Sequence, residues 1–525
     1  MDNRLCRALP DHDRFFLMDI MTPIQAIITI ERGRIIGIEQ MLGGVTIISE
    51  QGIHTYPGAY VLPGLVDSHC HFHALGELLN GLRLYDLHSK EETINHCKLH
   101  TDLRGEWLYG MGWNQELWKE AVYPHAKDLD AIFPDTPVYL RRADGHAAWV
   151  NSKAMECAGI TDSTPNPEGG TIIREDGKAT GILIDNAMDI VAHLIPELTK
   201  DMQINNILTA AKHCSSLGLT EVHDMDVHPS LLPIYLELAE NGLLPVRIQS
   251  FIKAQQDQWI EHGCLPAGGE FVRIAGLKFF VDGALGSRGA AMIENYADAD
   301  HNGLILMDEE TLFQKAKRGI EEGFSIATHA IGDMANHIVI NAYERLRKDG
   351  IADADVILRI EHTQIIKMED ITRMNEYAIK AIPQSVHCIS DAPMAKTRLG
   401  TRASKTYPWK SLINHGLHPA GSSDFPIESA NPLVGIDAYC RRIPFNDNSA
   451  WMPEEIISQE DAINSYTSWA HEASGMEYRR GSIALKYDAD LTILNKDIAS
   501  CPADDILHTQ VLATYTAGIR RYHSE

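Results

Sequence analysis

Short apolar runs that end in polar side chains recur through the middle of the chain. Segments with helical spacing of apolar residues, such as 310–322 and 333–348, lie between several of them. Strand-like runs that alternate with helical segments predict an α/β fold with a parallel sheet. The eight runs are LPGLVDSHCH, PVYLRRADGH, LTEVHDMD, RIAGLKFFVDG, FSIATHAIGD, LRIEHTQ, AIKAIPQSVH and LHPAGSSDFP.

Eight such runs predict a (β/α)8 barrel of the TIM type, in which chemistry lies at the carboxyl ends of the strands. The polar residues of these runs fall at those ends. An open, doubly wound sheet is the alternative that the pattern leaves open. The intervals 77–137 and 146–218 are too long for ordinary crossovers, so we expect insertions that shape the mouth of the barrel.

The two ends of the chain have a different pattern, with short strand-like pieces and no helical segments between them. Residues 24–38 read as two strands around Arg32-Gly33, which predicts a hairpin, and residues 481–494 and 511–523 are again strand-like. We therefore predict one small composite β-sandwich domain. Its parts are 1–61 and 475–525, around a barrel domain at 62–474.

Composition narrows the function before any motif is considered. The 525 residues carry a formal net charge of -26, which disfavours binding to nucleic acid and to anionic membranes. The nine cysteines form no CxxC pair and no secretory apolar segment opens the chain, a combination that is typical of a reduced, cytoplasmic protein. No run of about 18 apolar residues is present, so no membrane span is predicted.

Three histidines alternate after the first apolar run, at His69, His71 and His73. Alternate residues of a strand face the same side, so two imidazoles can point at one divalent ion. This pair of ligands is a weak signal alone, and strand parity does not choose among the three histidines.

Further candidate ligands follow later runs, at His329, His362 and Asp424, and Lys278 lies inside an apolar run. A lysine in an apolar strand is costly unless it is paired or chemically modified. The alternatives are an ion pair with Asp282 or a side chain that reaches solvent at the barrel rim.

Together these motifs resemble the amidohydrolase superfamily, and within it the YtcJ-like group that includes N-substituted formamide deformylases. The resemblance covers nearly the whole chain. It also rests on the pieces GMGWNQELW, LRRADGHAAWVNSKAMECAGI, KFFVDGALGSRGAAM, THAIGDMAN, SSDFPIESANPLVGI and YDADLTIL.

The resemblance implies a centre of one or two divalent ions. In that pattern His69 and His71 bind the first ion, Lys278 is carboxylated by CO2 and bridges both ions, and the second ion takes two more histidines. Asp424 touches the first ion and serves as general base and acid for a metal-activated hydroxide. The two histidines of the second ion are His329 and His362. Nitrogen and oxygen ligands suit zinc, although iron, manganese, cobalt and nickel also fit.

Four further residues are candidate substrate contacts. His146 ends the predicted second strand and Arg288 follows the fourth, where a structural ion pair is the rival interpretation. Trp113 lies in the first insertion, where it would line an apolar pocket or pack in a core. His387 follows the seventh strand, where Ser385 replaces a proline common in the related proteins. His73 is expected to be a bystander.

The leading hypothesis is therefore a metal-dependent hydrolase of a C–N amide bond, an N-substituted formamide or a related linear amide. The alternatives are a cyclic-amide hydrolase, a non-hydrolytic enzyme of the same fold, and a catalytically inactive scaffold. Every ligand position is filled, which disfavours the scaffold. The expected partner is a small-molecule amide, and the resemblance implies a homodimer that no residue pattern indicates.

Overall fold

The computed structural model describes residues 20–100, 103–143, 145–445 and 447–524. Its contacts define two compact units. The main unit comprises the described parts of Met1–His71 and Ala211–Glu525, and the inserted unit is Phe72–Ala210. Within the described residues, no helix has both the length and the apolar character that a membrane crossing needs.

The described residues form 21 strands and 16 α-helices. The strands are β1 (Ala26–Glu31), β2 (Arg34–Gln40), β3 (Gly44–Ser49), β4 (Gly52–Pro57), β5 (Tyr60–Pro63), β6 (Leu65–Cys70), β7 (Leu82–Arg83), β8 (Leu108–Trp113), β9 (Val138–Arg142), β10 (Ala147–Val150), β11 (Gly170–Glu175), β12 (Lys178–Asp185), β13 (Leu219–Val227), β14 (Arg247–Lys253), β15 (Val272–Phe280), β16 (Ser325–Ala330), β17 (Leu358–His362), β18 (Ile379–Ile382), β19 (Leu491–Leu494), β20 (Val511–Thr516) and β21 (Ile519–His523). The helices are α1 (Phe72–Asn80), α2 (Lys90–Leu99), α3 (Ala126–Asp130), α4 (Ser152–Cys157), α5 (Asp189–Ala192), α6 (Lys200–Ser216), α7 (Leu232–Glu240), α8 (Gln258–Glu261), α9 (Glu309–Glu321), α10 (Asp333–Lys348), α11 (Met368–Glu376), α12 (Ser385–Leu399), α13 (Trp409–Asn414), α14 (Pro432–Arg441), α15 (Gln459–Ser465) and α16 (Ser468–Glu472).

A seven-stranded parallel sheet forms the centre of the main unit, in the order β6-β13-β14-β15-β16-β17-β18. The order follows the chain without the reversal of a doubly wound sheet. Residues 420–425 hydrogen-bond to both edges of this sheet. The Ala420 N–H donates to Ala381 O, and the Asp424 N–H donates to His69 O. This segment therefore occupies the place of an eighth strand, and the fold is a TIM-like α/β fold.

One predicted barrel strand was wrong. The run PVYLRRADGH contains β9, which pairs with β8 and β10 in a six-stranded sheet of the inserted unit. The barrel strand that the pattern missed is β14, which lies between β13 and β15. A short apolar run indicates that a strand is buried, but it does not indicate which sheet buries it.

The inserted unit contains the first predicted insertion, 77–137, and most of the second, 146–218. Its sheet has the order β11-β12-β10-β9-β8-β7, so strands from both intervals join one sheet. The bounds of the two insertions and of the barrel domain stay a prediction.

Strands from both chain ends form two further sheets, with the orders β2-β1-β3-β4 and β21-β20-β19-β5. The predicted hairpin is confirmed, because Glu31 pairs with Arg34 and both residues of the turn have a positive φ, as a type I′ turn requires. Residues such as Ile28, Val61 and Leu491 share one buried cluster. A separate composite β-sandwich domain stays a prediction, because these sheets belong to the same compact unit as the barrel strands.

Candidate metal centre

The candidate ligands meet because they lie at the carboxyl ends of neighbouring parallel strands. His69 is the penultimate residue of β6, His329 is near the end of β16, and His362 ends β17. The register of β16 and β17 pairs His329 with Glu361. These side chains line a cavity of about 410 Å³ together with others of the main unit: His71, Lys278, His387 and Asp424.

The hydrogen bond at Nδ1 fixes the orientation of His69. This atom lies 2.5 Å from Glu361 Oε2, and the Glu361 carboxylate is itself bound by Arg359 through Nε at 2.6 Å. Burial acts to raise the pKa of Glu361, but the charge of Arg359 and the bond to His69 hold it well below its usual range. The Nδ1–H of His69 therefore donates a hydrogen bond to the carboxylate, which leaves the lone pair of His69 on Nε2.

The same arrangement recurs at two other histidines. His71 Nδ1 lies 3.1 Å from the carbonyl oxygen of Met225, which can only accept. His362 Nδ1 lies 2.6 Å from Gln384 Oε1, and the amide nitrogen of Gln384 donates to Ile382 O, so its oxygen faces the ring. In each ring Nδ1 carries the proton and Nε2 carries the lone pair, which is the form that binds metals.

Asp424 completes a group of opposed electron-rich atoms. Its Oδ1 lies 3.2 Å from His71 Nε2 and 3.5 Å from His69 Nε2, and it forms no hydrogen bond with the described residues. Burial acts to raise the pKa of Asp424, but the surrounding histidines hold it well below its usual range. Three lone-pair atoms that converge in a buried site repel one another unless a cation lies among them.

The neutral state of the histidines agrees with this role. Burial lowers the pKa of His69 to about 4 and that of His329 to about 3, and the charge of Lys278 acts in the same direction. His71 differs, because the Asp424 carboxylate raises its pKa although burial opposes the change. A proton on His71 would therefore compete with a metal ion for the same position.

A second possible ligand group shares Asp424 with the first. Potential ligand atoms of His362, His387 and Asp424 lie within 4.8 Å of one another. The ring centroid of His329 is 4.4 Å from that of His362. The sequence predicted His329 as the partner of His362 and His387 as a substrate contact. The structure brings all three histidines to one wall of the cavity.

Ser385, which replaces the expected proline, does not disturb the backbone beside His387. Gln384 is the N-cap of α12 and Ser385 is its first residue. The first helical position accepts proline because its N–H has no partner within the helix. Serine fits there equally well, and its hydroxyl donates to Gly435 O at 2.8 Å. His387 therefore sits in the first turn of a helix.

Lys278 lies in the same cavity without a hydrogen-bond or ion-pair partner among the described residues, and its Nζ is 5.0 Å from the centroid of the Phe280 ring. Its Nζ is buried and forms no hydrogen bond within the described chain, and the residue is 1% exposed, so the side chain does not reach solvent. The ion pair with Asp282 is not formed, because that carboxylate accepts backbone N–H groups of Ala291, Ile331 and Gly332. Burial lowers the pKa of Lys278 to about 8, so about one tenth of the amine is neutral at pH 7.

These observations fit a divalent metal centre. Nitrogen lone pairs and a carboxylate oxygen converge in a cavity, and each oriented imidazole is held by an oxygen acceptor behind it. Imidazole and carboxylate ligands suit zinc and several neighbouring transition metals.

The other predicted substrate contacts have partners within their own surroundings. Arg288 does not line the cavity, and it binds the Asp298 carboxylate through Nη2 at 2.8 Å. His146 belongs to the inserted unit and lies 2.8 Å from Asp185 through Nδ1. It does not end a barrel strand as predicted, because β9 belongs to another sheet.

Trp113 and His73 also belong to the inserted unit. Trp113 is fully buried beside Trp118 and Trp149, with ring centroids 6.2 and 6.1 Å away, which is the core packing that the sequence left open. His73 lies within α1, beyond the end of β6 at Cys70, so strand parity does not apply to it.

Several residues of the site were not singled out from the sequence. Arg359 holds Glu361, while Asp391 and Glu428 line the cavity. The spacing of four residues between His387 and Asp391 was a usable signal once α12 was known to be a helix. The sequence did not indicate the ion pair of Arg359 with Glu361. Two charged residues at alternate positions of a strand are too common to predict a contact.

Three comparisons relate this chain to known proteins. Residues 57–522 match the model of the amidohydrolase family. The putative amidohydrolase YtcJ of Bacillus subtilis (strain 168) is 36% identical over 454 residues, which cover 84% of each chain. The N-substituted formamide deformylase of Arthrobacter pascens is 26% identical over 488 residues, 89% of each chain. The crystal structure of an uncharacterized metal-dependent hydrolase from Pyrococcus horikoshii OT3 aligns with a TM-score of 0.75 and 26% identity, over 91% of this chain and 98% of that one.

Proposed function

This chain belongs to the amidohydrolase family and is a hydrolase, and from that premise we propose that it hydrolyses a linear amide, an N-substituted formamide or a closely related compound. The observation that carries the proposal is the convergence of His69 Nε2, His71 Nε2 and Asp424 Oδ1 in a cavity at the strand ends. The similarity to an N-substituted formamide deformylase supports the choice of amide.

The ligands of the proposed centre divide into two sets. His69, His71 and Asp424 hold the first divalent ion, which we propose to be zinc. His329 and His362 hold a second ion where one is bound, and His387 is placed to assist them.

Lys278 joins the two sets in this proposal as a carbamate. The neutral amine of Lys278 attacks CO2, a new N–C bond forms, and one proton is released to solvent. The product is an anion with two oxygen donors in place of a cation that cannot bind metals. The lowered pKa of Lys278 supports this step, since only the neutral amine reacts.

The chain's own groups then carry the hydrolysis. A bound divalent ion supplies Lewis acidity to the substrate carbonyl and makes water more acidic. Asp424 accepts the proton of the attacking water on a carboxylate oxygen and returns it to the amide nitrogen as the C–N bond breaks. The products are a carboxylate, formate in the case of a formamide, and an amine. Apolar side chains such as Phe280 and Leu285 limit the access of bulk water.

The test is a hydrolysis screen with protein reconstituted separately with zinc, iron, manganese, cobalt or nickel. The substrates are N-substituted formamides, longer acyl amides and cyclic amides, and chelator-treated protein is the control. We expect metal-dependent release of formate and amine in equal amounts. Ring opening of the cyclic amides alone would replace the proposal with the cyclic-amide function, and no turnover of any amide would contradict it.

A further inference from the structure

One wall of the cavity is a face of helix α12. His387, Asp391 and Met394 line the cavity and are spaced by four and three residues, so they follow one another along the same side of the helix. His387 stands beside the candidate ligands, with its ring 6.2 Å from that of His362. Asp391 follows four residues further, about one helical turn, at a rise of about 6 Å.

Asp391 is held in place by a hydrogen bond, and burial raises the pKa of its carboxyl while His387 and Tyr407 act to lower it. The Tyr407 hydroxyl donates to Asp391 Oδ2 at 2.9 Å and accepts from the amide of Gln364 at 2.6 Å. No lysine or arginine of the described chain forms an ion pair with Asp391, and Oδ1 accepts no hydrogen bond from those residues. One carboxylate oxygen is thus fixed and the other is available to a ligand.

A second carboxylate stands on the open side of the same cavity. Glu428 accepts a hydrogen bond from Ser390 Oγ at 2.6 Å through Oε1, and no cationic side chain of the described residues pairs with it. Its neighbour Ile427 also lines the cavity and is 69% exposed. The path from solvent to the candidate ligands is therefore bordered by negative charge.

Apart from His387 on the same helix, the described walls near Asp391 are mainly apolar. Phe280, Leu285, Ile331 and Met394 are apolar, and the buried amine of Lys278 belongs to the proposed metal centre. A carboxylate beside apolar walls is costly unless a donor or a cation meets it. The formal net charge of -26 adds a long-range field that attracts cations and repels anions.

We propose that the cavity selects amides whose nitrogen substituent carries a primary ammonium group, and that Asp391 binds this group. The inference rests on the proposed function, because a formyl group has no side chain and the nitrogen substituent must fill the cavity. One helical turn corresponds to roughly four bonds of an alkyl chain at about 1.5 Å each. The expected substrate class is therefore a monoacylated short diamine, in which the apolar walls contact the methylene groups.

The test compares three matched formamides on the metal-reconstituted, full-length protein. Monoformyl diaminobutane carries a terminal ammonium group, N-pentylformamide has a methyl group in its place, and formamidopentanoate has a carboxylate there. We expect kcat/KM to be at least about tenfold higher for the ammonium compound than for the methyl compound, which is a difference of about 1.4 kcal/mol. The carboxylate compound should be the poorest of the three.

The variant Asp391→Asn tests whether Asp391 causes the preference for the ammonium compound. We expect the ratio of kcat/KM for the ammonium and methyl compounds to fall to about one third of its original value or lower. The matched control is Glu376→Gln, which removes the same charge from an exposed position of α11 and should leave the ratio unchanged.

The outcomes separate this inference from the proposed function. Turnover of N-pentylformamide that equals or exceeds that of the ammonium compound overturns the inference and leaves the proposed function standing. A preference that survives in full in Asp391→Asn also overturns it. No formate from any of the three compounds, together with no turnover in the wider amide screen, contradicts the proposed function itself.

Discussion

Two clusters of buried charged side chains lie in the main unit, and they differ in whether their charges are paired. The first is the basal ion network, defined as Glu221, Arg247, Arg480, Asp488 and Asp490. Arg480 binds Glu221 at 2.9 Å and Asp488 at 2.8 Å, and Arg247 binds both oxygens of Asp490 at 2.8 and 3.1 Å. Each charged side chain of this network has an opposite charge as its partner.

The candidate metal centre is also largely buried and has close contacts such as His329 Nε2 to Asp282 Oδ1 at 3.4 Å, but several of its polar atoms form no hydrogen bond. Lys278 Nζ, His329 Nε2 and Asp424 Oδ1 are buried atoms that form no hydrogen bond with the described residues. The basal network lies near the amino ends of the strands, where Arg247 begins β14, and the centre lies at their carboxyl ends. Paired buried charges satisfy one another, whereas several unpartnered polar atoms of metal-ligating type that line one cavity indicate a ligand there.

A chain of polar contacts connects the two clusters. Glu361, which orients His69, is bound by Arg359, and Arg359 Nη1 lies 3.1 Å from His223 Nδ1. His223 Nε2 lies 3.5 Å from Glu221, the first member of the basal network. This chain of contacts reaches His69 alone, and its step from His223 Nε2 to Glu221 is a contact without a hydrogen bond.

The largest expected effect is on catalysis, and Asp424→Asn produces it. The amide keeps the shape of the side chain but cannot accept the water proton, so we expect kcat to fall about a thousandfold or more. Because Asp424 Oδ1 has no partner, the midpoint of thermal unfolding should change little. Formate release and thermal unfolding are the measurements. Activity within tenfold of the wild type would remove Asp424 from its role as base.

The next effect is on stability, and Arg480→Met produces it. The change leaves Glu221 and Asp488 buried without Arg480, so the free energy of unfolding in urea should fall by about 3–5 kcal/mol. The control Arg345→Met removes an arginine whose partner Glu310 is exposed, and it should cost about 0–1 kcal/mol. Equal losses in the two variants would mean that the basal network does not hold the fold together.

Lys278→Met tests whether a buried charge without an ion-pair partner can be removed without a loss of stability. Removal of an amine without a partner should leave the free energy of unfolding of the metal-free protein unchanged, or raise it by about 1 kcal/mol. Metal content and activity should both fall, because the carbamate that we propose on Lys278 could not form. Urea unfolding and elemental analysis measure the two effects. A loss of stability as large as that of Arg480→Met would show that Lys278 has a structural partner.

The smallest expected effect belongs to His73→Ala. His73 is not part of either candidate ligand group and lies on α1, so metal content and turnover should stay within about twofold of the wild type. His71→Ala is the matched comparison, and it should lose both. Metal titration of the two variants measures the difference. Loss of metal in His73→Ala would make this histidine a ligand.

Strand-end residues of the site were accessible from the sequence because a parallel sheet collects the ends of its strands at one edge. Their positions at the ends of predicted strands singled out His69, His329 and His362 before any spatial contact was known. The orientation of the rings was not accessible, since it depends on the Met225 carbonyl and on Gln384, which are distant in the chain. The position of His387 was ambiguous for the same reason, because only the structure places it in the first turn of α12.

The sequence was enough to predict the fold class, but it was not enough to predict which strands form the barrel. Alternating strands and helices gave the TIM-like architecture, and Arg32-Gly33 gave the hairpin. The run that contains β9 was predicted as a barrel strand and β14 was not identified, because a short apolar run does not show which sheet it joins. The sheet that a strand joins is decided by long-range packing, which a local pattern does not contain.

An anomalous difference map of crystals grown with zinc tests the central claim most directly, since it locates the metal without assuming a substrate. The account predicts a peak bounded by His69 Nε2, His71 Nε2 and Asp424 Oδ1, with continuous density for a carbamate on Lys278. A map with zinc peaks only at the protein surface, and a bare amine at Lys278 in an empty cavity, would contradict it.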